Sequence, residues 1–179
     1  MKLFIASDIH GSAYYCKKLI ENFKKSGAEK LVLLGDLLYH GPRNDLPKEY
    51  GAKGVIELLD EVKEKILCVR GNCDTEVDQV VLSFPILSKF GFIMIDGYTF
   101  YLTHGHHIND IPLEKDSIVL SGHTHIPTAN TDNGFLNINP GSVSMPRNNT
   151  PHSYIIYENG VFNFYDLETD EIYNTYKLS

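Results

Sequence analysis

The sequence predicts an α/β fold in a single domain spanning residues 1–179, with a parallel sheet, helical crossovers and a second, largely antiparallel sheet packed on the first. Three observations predict it. Short apolar runs alternate with amphipathic, helix-periodic stretches from Lys2 to about Arg70, the signature of a β-α-β-α-β start. Beyond Phe92 the helical period fades, and strand-like runs follow one another with Asp-Gly or Asn-Gly pairs between them, which are hairpin signals. No linker-like, low-complexity or repeated stretch divides the chain, and 179 residues are enough for one sizeable core.

In order, Lys2 to Ser7 reads as the first strand. Cys16, Leu19, Ile20 and Phe23 recur at helical spacing up to Gly27, a C-terminal cap. Leu31 to Leu34 is a short apolar run suited to a strand buried on both faces, and it ends at Gly35-Asp36. Gly41, Pro42 and Pro47 mark a loop, after which Val55, Leu58, Leu59 and Val62 form a second amphipathic stripe. A third strand runs from Ile66 to Arg70. Phe92–Ile95 and Tyr98–Thr103 flank the turn pair Asp96-Gly97, and Asn133-Gly134 and Asn159-Gly160 repeat that device. Further strands are expected at Ile118–Ser121, Phe135–Ile138, Ser153–Tyr157 and Val161–Tyr165.

Composition bounds the function. With 42% hydrophobic and 22% charged residues the chain is neither disordered nor fibrous. Its net charge of −7 opposes strong nucleic-acid binding and attraction to anionic membranes, so a phosphate-bearing ligand needs a local positive focus. Bound cations could provide it. Three cysteines (Cys16, Cys68, Cys73) at unrelated spacings point to a reducing compartment, and the cytoplasm is the expected location. No run reaches the ~20 apolar residues that cross a bilayer.

The polar residues at the ends of the strands carry the chemistry. Asp8-Ile9-His10, Gly35-Asp36, Gly71-Asn72-Cys73-Asp74, Thr103-His104-Gly105-His106 and Gly122-His123-Thr124-His125 each follow an apolar run, where open α/β sheets place their ligands. Asp8, His10, Asp36, Asn72, His104, His123 and His125 together offer carboxylate, amide and imidazole donors. That mixture suits first-row divalent ions better than Ca²⁺ or Mg²⁺. Seven donors exceed the needs of one such ion and match two ions sharing a carboxylate. A pair about 3.5–4 Å apart is the usual clamp for in-line attack on phosphorus, with a bridging hydroxide as nucleophile.

These strings, with Gly35-Asp36 continuing to His40-Gly41-Pro42-Arg43-Asn44 and with Asn139-Pro140-Gly141-Ser142 downstream, resemble the calcineurin-like metallophosphoesterase superfamily, and within it the small YfcE-type phosphodiesterases. The resemblance runs from residue 1 to about residue 165. It implies a four-layer fold in which two mixed β-sheets pack as a sandwich flanked by helices. It implies two divalent ions, Mn²⁺ first with Ni²⁺, Fe²⁺ or Zn²⁺ as alternatives. Asp8, His10 and His125 would hold the first, Asp36 would bridge, and Asn72, His104 and His123 would complete the second. His104 is assigned ahead of His106 by its place in the motif, leaving His106 either behind the ligands or near the leaving group. Most of the superfamily has His where this chain has Cys73. A thiol is a weak donor, so esters with good leaving groups are expected to be favoured.

Asn72, Cys73 and His106 are therefore the catalytic candidates, and His40 and Arg43, in the loop after Asp36, the substrate-binding ones. Asp74 reads as an orienting carboxylate and Cys16 and Cys68 as core. His107 and His152 read as ordinary surface or core residues. The expected activity is hydrolysis of a small phosphodiester by a homo-oligomer, a dimer or larger, with no membrane partner. Two alternatives are a non-catalytic scaffold on the same fold and a phosphomonoesterase or dinucleoside-polyphosphate hydrolase. The last two would want more basic residues at the site than Arg43 and Arg147.

Overall fold

In the computed structural model, which describes residues 1–132 and 134–178, the chain begins with β1 (Leu3–Ala6), every residue of which is buried. Its side chains alternate in period two. Phe4 and Ala6 face one core, Leu3 and Ile5 another. Helix α1 (Ala13–Ser26) starts at Ser12, whose hydroxyl accepts from the Tyr15 N–H, and stops at Gly27 in the left-handed conformation. Strand β2 (Lys30–Leu33), α2 (Ala52–Asp60) and β3 (Ile66–Cys68) complete the parallel unit. Then come α3 (Glu76–Val81), β4 (Phe90–Ile95), β5 (Tyr98–Thr103) and β6 (Ile118–Leu120). The chain continues through β7 (Pro127–Asp132), β8 (Phe135–Pro140), β9 (Ser153–Glu158), β10 (Val161–Asp166) and β11 (Ile172–Lys177).

Two mixed sheets result, one of six strands in the order β11-β10-β9-β1-β2-β3 and one of five in the order β4-β5-β6-β8-β7. Between them lies a core that includes Leu3, Ile5, Val32, Phe100, Leu120, Tyr157 and Phe162. On the other side of the six-stranded sheet, α1 and α2 bury Leu19, Phe23, Val55 and Leu59 against Phe4 and Leu31. Fully burying side chains of this size stabilises the fold by about 1.5–3 kcal/mol each. The sandwich therefore forms with helices on its six-stranded side.

The alternation of strands after Phe92 suggested one largely antiparallel second sheet, and that assignment is corrected by the pairing. Strand β9 pairs antiparallel with β1, and β10 and β11 follow it into the first sheet. Five of the six residues of β9 are buried, as suits a strand between two layers rather than one with a wet face. In the second sheet β5-β6 and β6-β8 are parallel pairs. Local alternation carries strand character but not the identity of the partner. Strand β7, the largely exposed β11 and α3 went unpredicted, because PTANTD and IYNTYK lack an apolar face and EVDQVV is too short to show a period. The expected turn at Asn133-Gly134 falls partly on Asn133, which lies outside the described residues. Among the described residues no helix is long and apolar enough to cross a membrane.

Candidate metal centre

All five strings leave the carboxyl end of a strand on the same rim of the sandwich: β1 carries Asp8 and His10, β2 Asp36, β3 Asn72, β5 His104, and β6 His123 and His125. Backbone bonds hold these loops in register beyond the sheets. Asp8 N–H donates to Gly35 O at 3.1 Å, His10 N–H to Asp36 O at 2.9 Å, and Gly122 N–H to His104 O at 3.0 Å. Asp74 is buried, and it accepts from the N–H groups of Asp36 (2.9 Å), Leu37 (2.9 Å) and Gly71 (2.7 Å). The Asn139–Ser142 string clasps the other side: Ser142 Oγ donates to Asp8 O at 2.9 Å and Asn139 Nδ2 to Gly122 O at 2.7 Å.

Asp8, His10, Asp36, His123 and His125 all have positive φ, between 49° and 70°. For residues with a Cβ that conformation costs of order 1–3 kcal/mol each when nothing compensates it, and it concentrates where function demands a side chain be aimed. The sharp turns bring the donors together. Asp8, His10 and His125 form one group whose ligand atoms lie within 4.8 Å of one another, Asp8, Asp36 and His104 a second, and His10, Asp36 and Cys73 a third.

The imidazoles are fixed by backbone carbonyls, which can only accept. Nδ1 of His10 donates to Tyr39 O at 2.7 Å, Nδ1 of His104 to Leu34 O at 2.6 Å and Nδ1 of His125 to Met145 O at 2.6 Å. In neutral rings the Nε2 lone pairs then all point inward. Nε2 of His10 and Nε2 of His125 stand 3.2 Å apart. Asp8 Oδ1, buried and without a hydrogen-bond partner, is 3.4 Å from the first and 3.2 Å from the second. Lone pairs converging so closely repel unless a cation, a proton or a metal ion, sits among them. A divalent first-row ion fits this donor set.

The electrostatics agree. Burial alone would raise Asp8, but the adjacent His10 and His125 rings and the charge of His104 outweigh it and hold its carboxyl well below the usual range. Asp36 is lowered too, against its burial, chiefly by His104. Conversely, burial would lower His104, yet Asp36 and Asp8 push it up to about 9, and Asp8 raises His10. These rings hold protons where a metal ion would otherwise neutralise the carboxylates. Cys73 is pushed up to about 12 by burial and by the Asp36 charge, so its thiol keeps its proton.

The remaining predicted residues surround this centre. Asn72 Oδ1 lies 3.1 Å from His104 Nε2, and Asn72 Nδ2 donates to Cys73 Sγ at 3.2 Å. The His123 ring centroid is 5.1 Å from that of His104, and the His123 N–H donates to Asp8 Oδ2 at 3.1 Å. His106 is exposed on its outer side, 5.3 Å from His104 between centroids, and partial desolvation with the His104 charge draws it down to about 4. His40 packs edge-on against Tyr39 and Tyr50, and its Nδ1 is buried without a partner. Arg43 is exposed on the loop, and no hydrogen bond or ion pair among the described residues ties it to the centre. Residues that the sequence reading missed are Arg70 and Lys89, which with Gly71, Asn72, His106 and His107 line a concavity of about 370 Å³. Arg70 precedes Asn72 by two residues and was in view. Lys89 arrives only because the Arg70 N–H donates to Ser88 O, a pairing with no local signal.

The profile of the calcineurin-like phosphoesterase superfamily domain matches residues 1–160. Phosphodiesterase YfcE of Escherichia coli K12 is 43% identical over 175 residues, covering 96% of this chain and 95% of the relative. Phosphodiesterase MJ0936 of Methanocaldococcus jannaschii is 27% identical over 151 residues, covering 79% and 83%. The solved structure of the E. coli YfcE phosphoesterase superposes with a TM-score of 0.94 at 42% identity, covering 100% of both chains. A zinc complex of Vps29 from Entamoeba histolytica shares the fold alone, with a TM-score of 0.61 at 18% identity and 99% and 98% coverage. The chain belongs to the calcineurin-like phosphoesterase superfamily and is an enzyme of it.

Proposed function

We propose that the chain hydrolyses a small phosphodiester at a dinuclear centre in which Asp36 is shared. One observation carries this reading: Asp36 Oδ2 stands 3.6 Å from Nε2 of His10 and 3.3 Å from Nε2 of His104, between the two donor sets. Asp8, His10 and His125 would hold one ion, and Asn72, His104 and His123 would complete the other. The mixed oxygen and nitrogen donors suit first-row divalent ions, among which availability would choose, and the family likeness puts Mn²⁺ first with Ni²⁺, Fe²⁺ or Zn²⁺ next. Bound there, the ions supply an acidified water as nucleophile and neutralise charge on the phosphoryl oxygens.

The chain's own residues do the rest. Asp36 and Asp8 fix the charge that the site must balance, and the Nδ1–carbonyl bonds fix the three rings. Asn72 would offer its amide to a phosphoryl oxygen beside Cys73. The protonated Cys73 thiol gives a departing alkoxide only a weak hydrogen bond, so alcohols that leave readily are preferred. His106 is neutral at pH 7 and could assist as an N–H donor rather than as an imidazolium. Arg43 and His40 would contact substrate from the loop after β2. Three free thiols support a reducing, cytoplasmic setting, and a dimer is the default assembly.

A monoesterase or dinucleoside-polyphosphate hydrolase is the second reading, because Arg70 and Lys89 add positive charge beside Asn72. The complete donor set argues against a scaffold. Metal-stripped protein resupplied with Mn²⁺ and assayed on bis(p-nitrophenyl) phosphate and p-nitrophenyl phosphate in parallel tests the choice. The diester should turn over at least ~10-fold faster. Faster monoester turnover moves the assignment to the second reading, and no turnover of either speaks for the scaffold.

A further inference from the structure

A groove of about 450 Å³ opens at Cys73, and its walls come from three parts of the chain: Tyr39 after β2, Tyr50 just before α2 with Ile56 inside it, and Val77 and Val81 of α3. Its only other polar wall residues are Thr75 and Asp78, and these are committed to each other in the capping box that starts α3. No Lys or Arg lines it. Cys73 Sγ also lies within 4.8 Å of the ligand atoms of His10 and Asp36. The groove and the metal-binding cluster therefore share a wall.

Helix α3 points independently to a ligand. Val77, Val80 and Val81 supply half of its six residues, yet none of its residues is buried. Valine is a poor helix former, and the capping box rather than core burial holds the segment helical. Val77 and Val81, four apart, share one face, and they remain 74% and 48% exposed while lining the groove. Across from them Tyr39 and Tyr50 are also exposed. Single exposed apolar residues need no explanation, but a contiguous set beside a reacting centre does.

We propose that this groove seats an uncharged, apolar ester group of the substrate, so that the phosphodiester carries an alkyl or aryl alcohol on the Cys73 side. This rests on the phosphodiesterase reading above. A second phosphate in the groove would meet no Lys or Arg among its described lining residues and would stand close to the Asp78 carboxylate. An apolar group instead removes its own surface and that of the valines and tyrosines from water. Each methylene fully buried there tightens binding by up to about fourfold.

Calorimetric titration of the Mn²⁺-loaded protein with methyl-, butyl-, hexyl- and phenylphosphonate tests this. A single apolar substituent leaves the phosphonate free to orient it into the groove. Hexylphosphonate should bind at least ~10-fold more tightly than methylphosphonate, and the order of hexyl and phenyl tells a chain-binding groove from a ring-binding one. Val77→Asp and Val81→Asp, each checked for folding by circular dichroism, should lower the hexyl-to-methyl affinity ratio at least ~5-fold. Ile172→Asp, an exposed change on β11, should not. A flat chain-length series in the unaltered protein overturns the proposal without any variant. So does an unchanged ratio in folded variants, or a Val81→Asp change that shifts only the sedimentation coefficient, which would make the groove an interface between copies. Methylphosphonate binding with a flat series sinks the groove alone. No phosphonate binding and no diester turnover sink the phosphodiesterase reading with it.

Discussion

Asp74 belongs to none of the three donor groups, yet its carboxylate accepts three backbone N–H groups that set where Asp36 stands. Burial and the nearby Asp36 charge raise its pKa against those donors, so its place is held at a cost. Asp74→Asn would turn an NH₂ toward at least one of the N–H groups. The expected loss is ~2–3 kcal/mol in denaturant unfolding and ~10–100-fold in Mn²⁺ affinity, because the residue orients a ligand. Unchanged affinity in the folded variant would make Asp74 a purely structural residue. Cys73 is the contrasting case. Its role follows from what it lacks: a thiol is only a weak hydrogen-bond donor.

At the scale of elements, the junctions between strand and loop aim the donors. Gly71 ends the β3 run so close to β2 that a Cβ there would stand on Asp36 Oδ1 and the Asp36 nitrogen. Gly97, in the β4–β5 turn, has φ +82° and open space around it. Gly71→Ala should therefore abolish high-affinity Mn²⁺ binding by displacing Asp36. Gly97→Ala should cost only ~1–3 kcal/mol of stability for its left-handed backbone and leave metal affinity intact. Calorimetric metal titration of both variants separates the two, and equal affinities would contradict the account. The same junctions explain what the sequence disclosed. Asp8, Asp36, Asn72 and His104 were legible because each sits in a short string directly after an apolar run. Strands β9 to β11 were recognised as strands, or missed, without their sheet being knowable, since the three join it through the pairing of β9 with β1, more than a hundred positions earlier. Lys89 was illegible because the Arg70–Ser88 bond that brings it in has no local signal, and the valine wall because α3 is too short to show a period. The carbonyls of Tyr39, Leu34 and Met145 that fix the rings leave no trace in side-chain identity at all.

For the whole molecule, the centre couples folding to protons and metal. His104 is raised from 6.5 to about 9, so its stabilising contribution is present in full below pH 6.5 and is lost as pH rises towards 9. His10 shifts in the same direction, whereas His106 and His123 are lowered and contribute nothing above pH 6.5. Metal-stripped protein should thus show a melting temperature that falls between pH 6.5 and 9. Saturating Mn²⁺, which replaces those protons, should flatten the fall and raise the melting temperature throughout. A metal-stripped protein with no alkaline decline would contradict the charge balance described for Asp8, Asp36 and His104. The most direct measurement is the number of ions the site takes up. Titration of metal-stripped protein with Mn²⁺ should saturate at two ions per chain, and Asp36→Asn, checked for folding, should weaken both binding events at least ~10-fold. Saturation at one ion, or an Asp36→Asn variant that still binds two with unaltered affinity, would contradict a centre built around a shared Asp36.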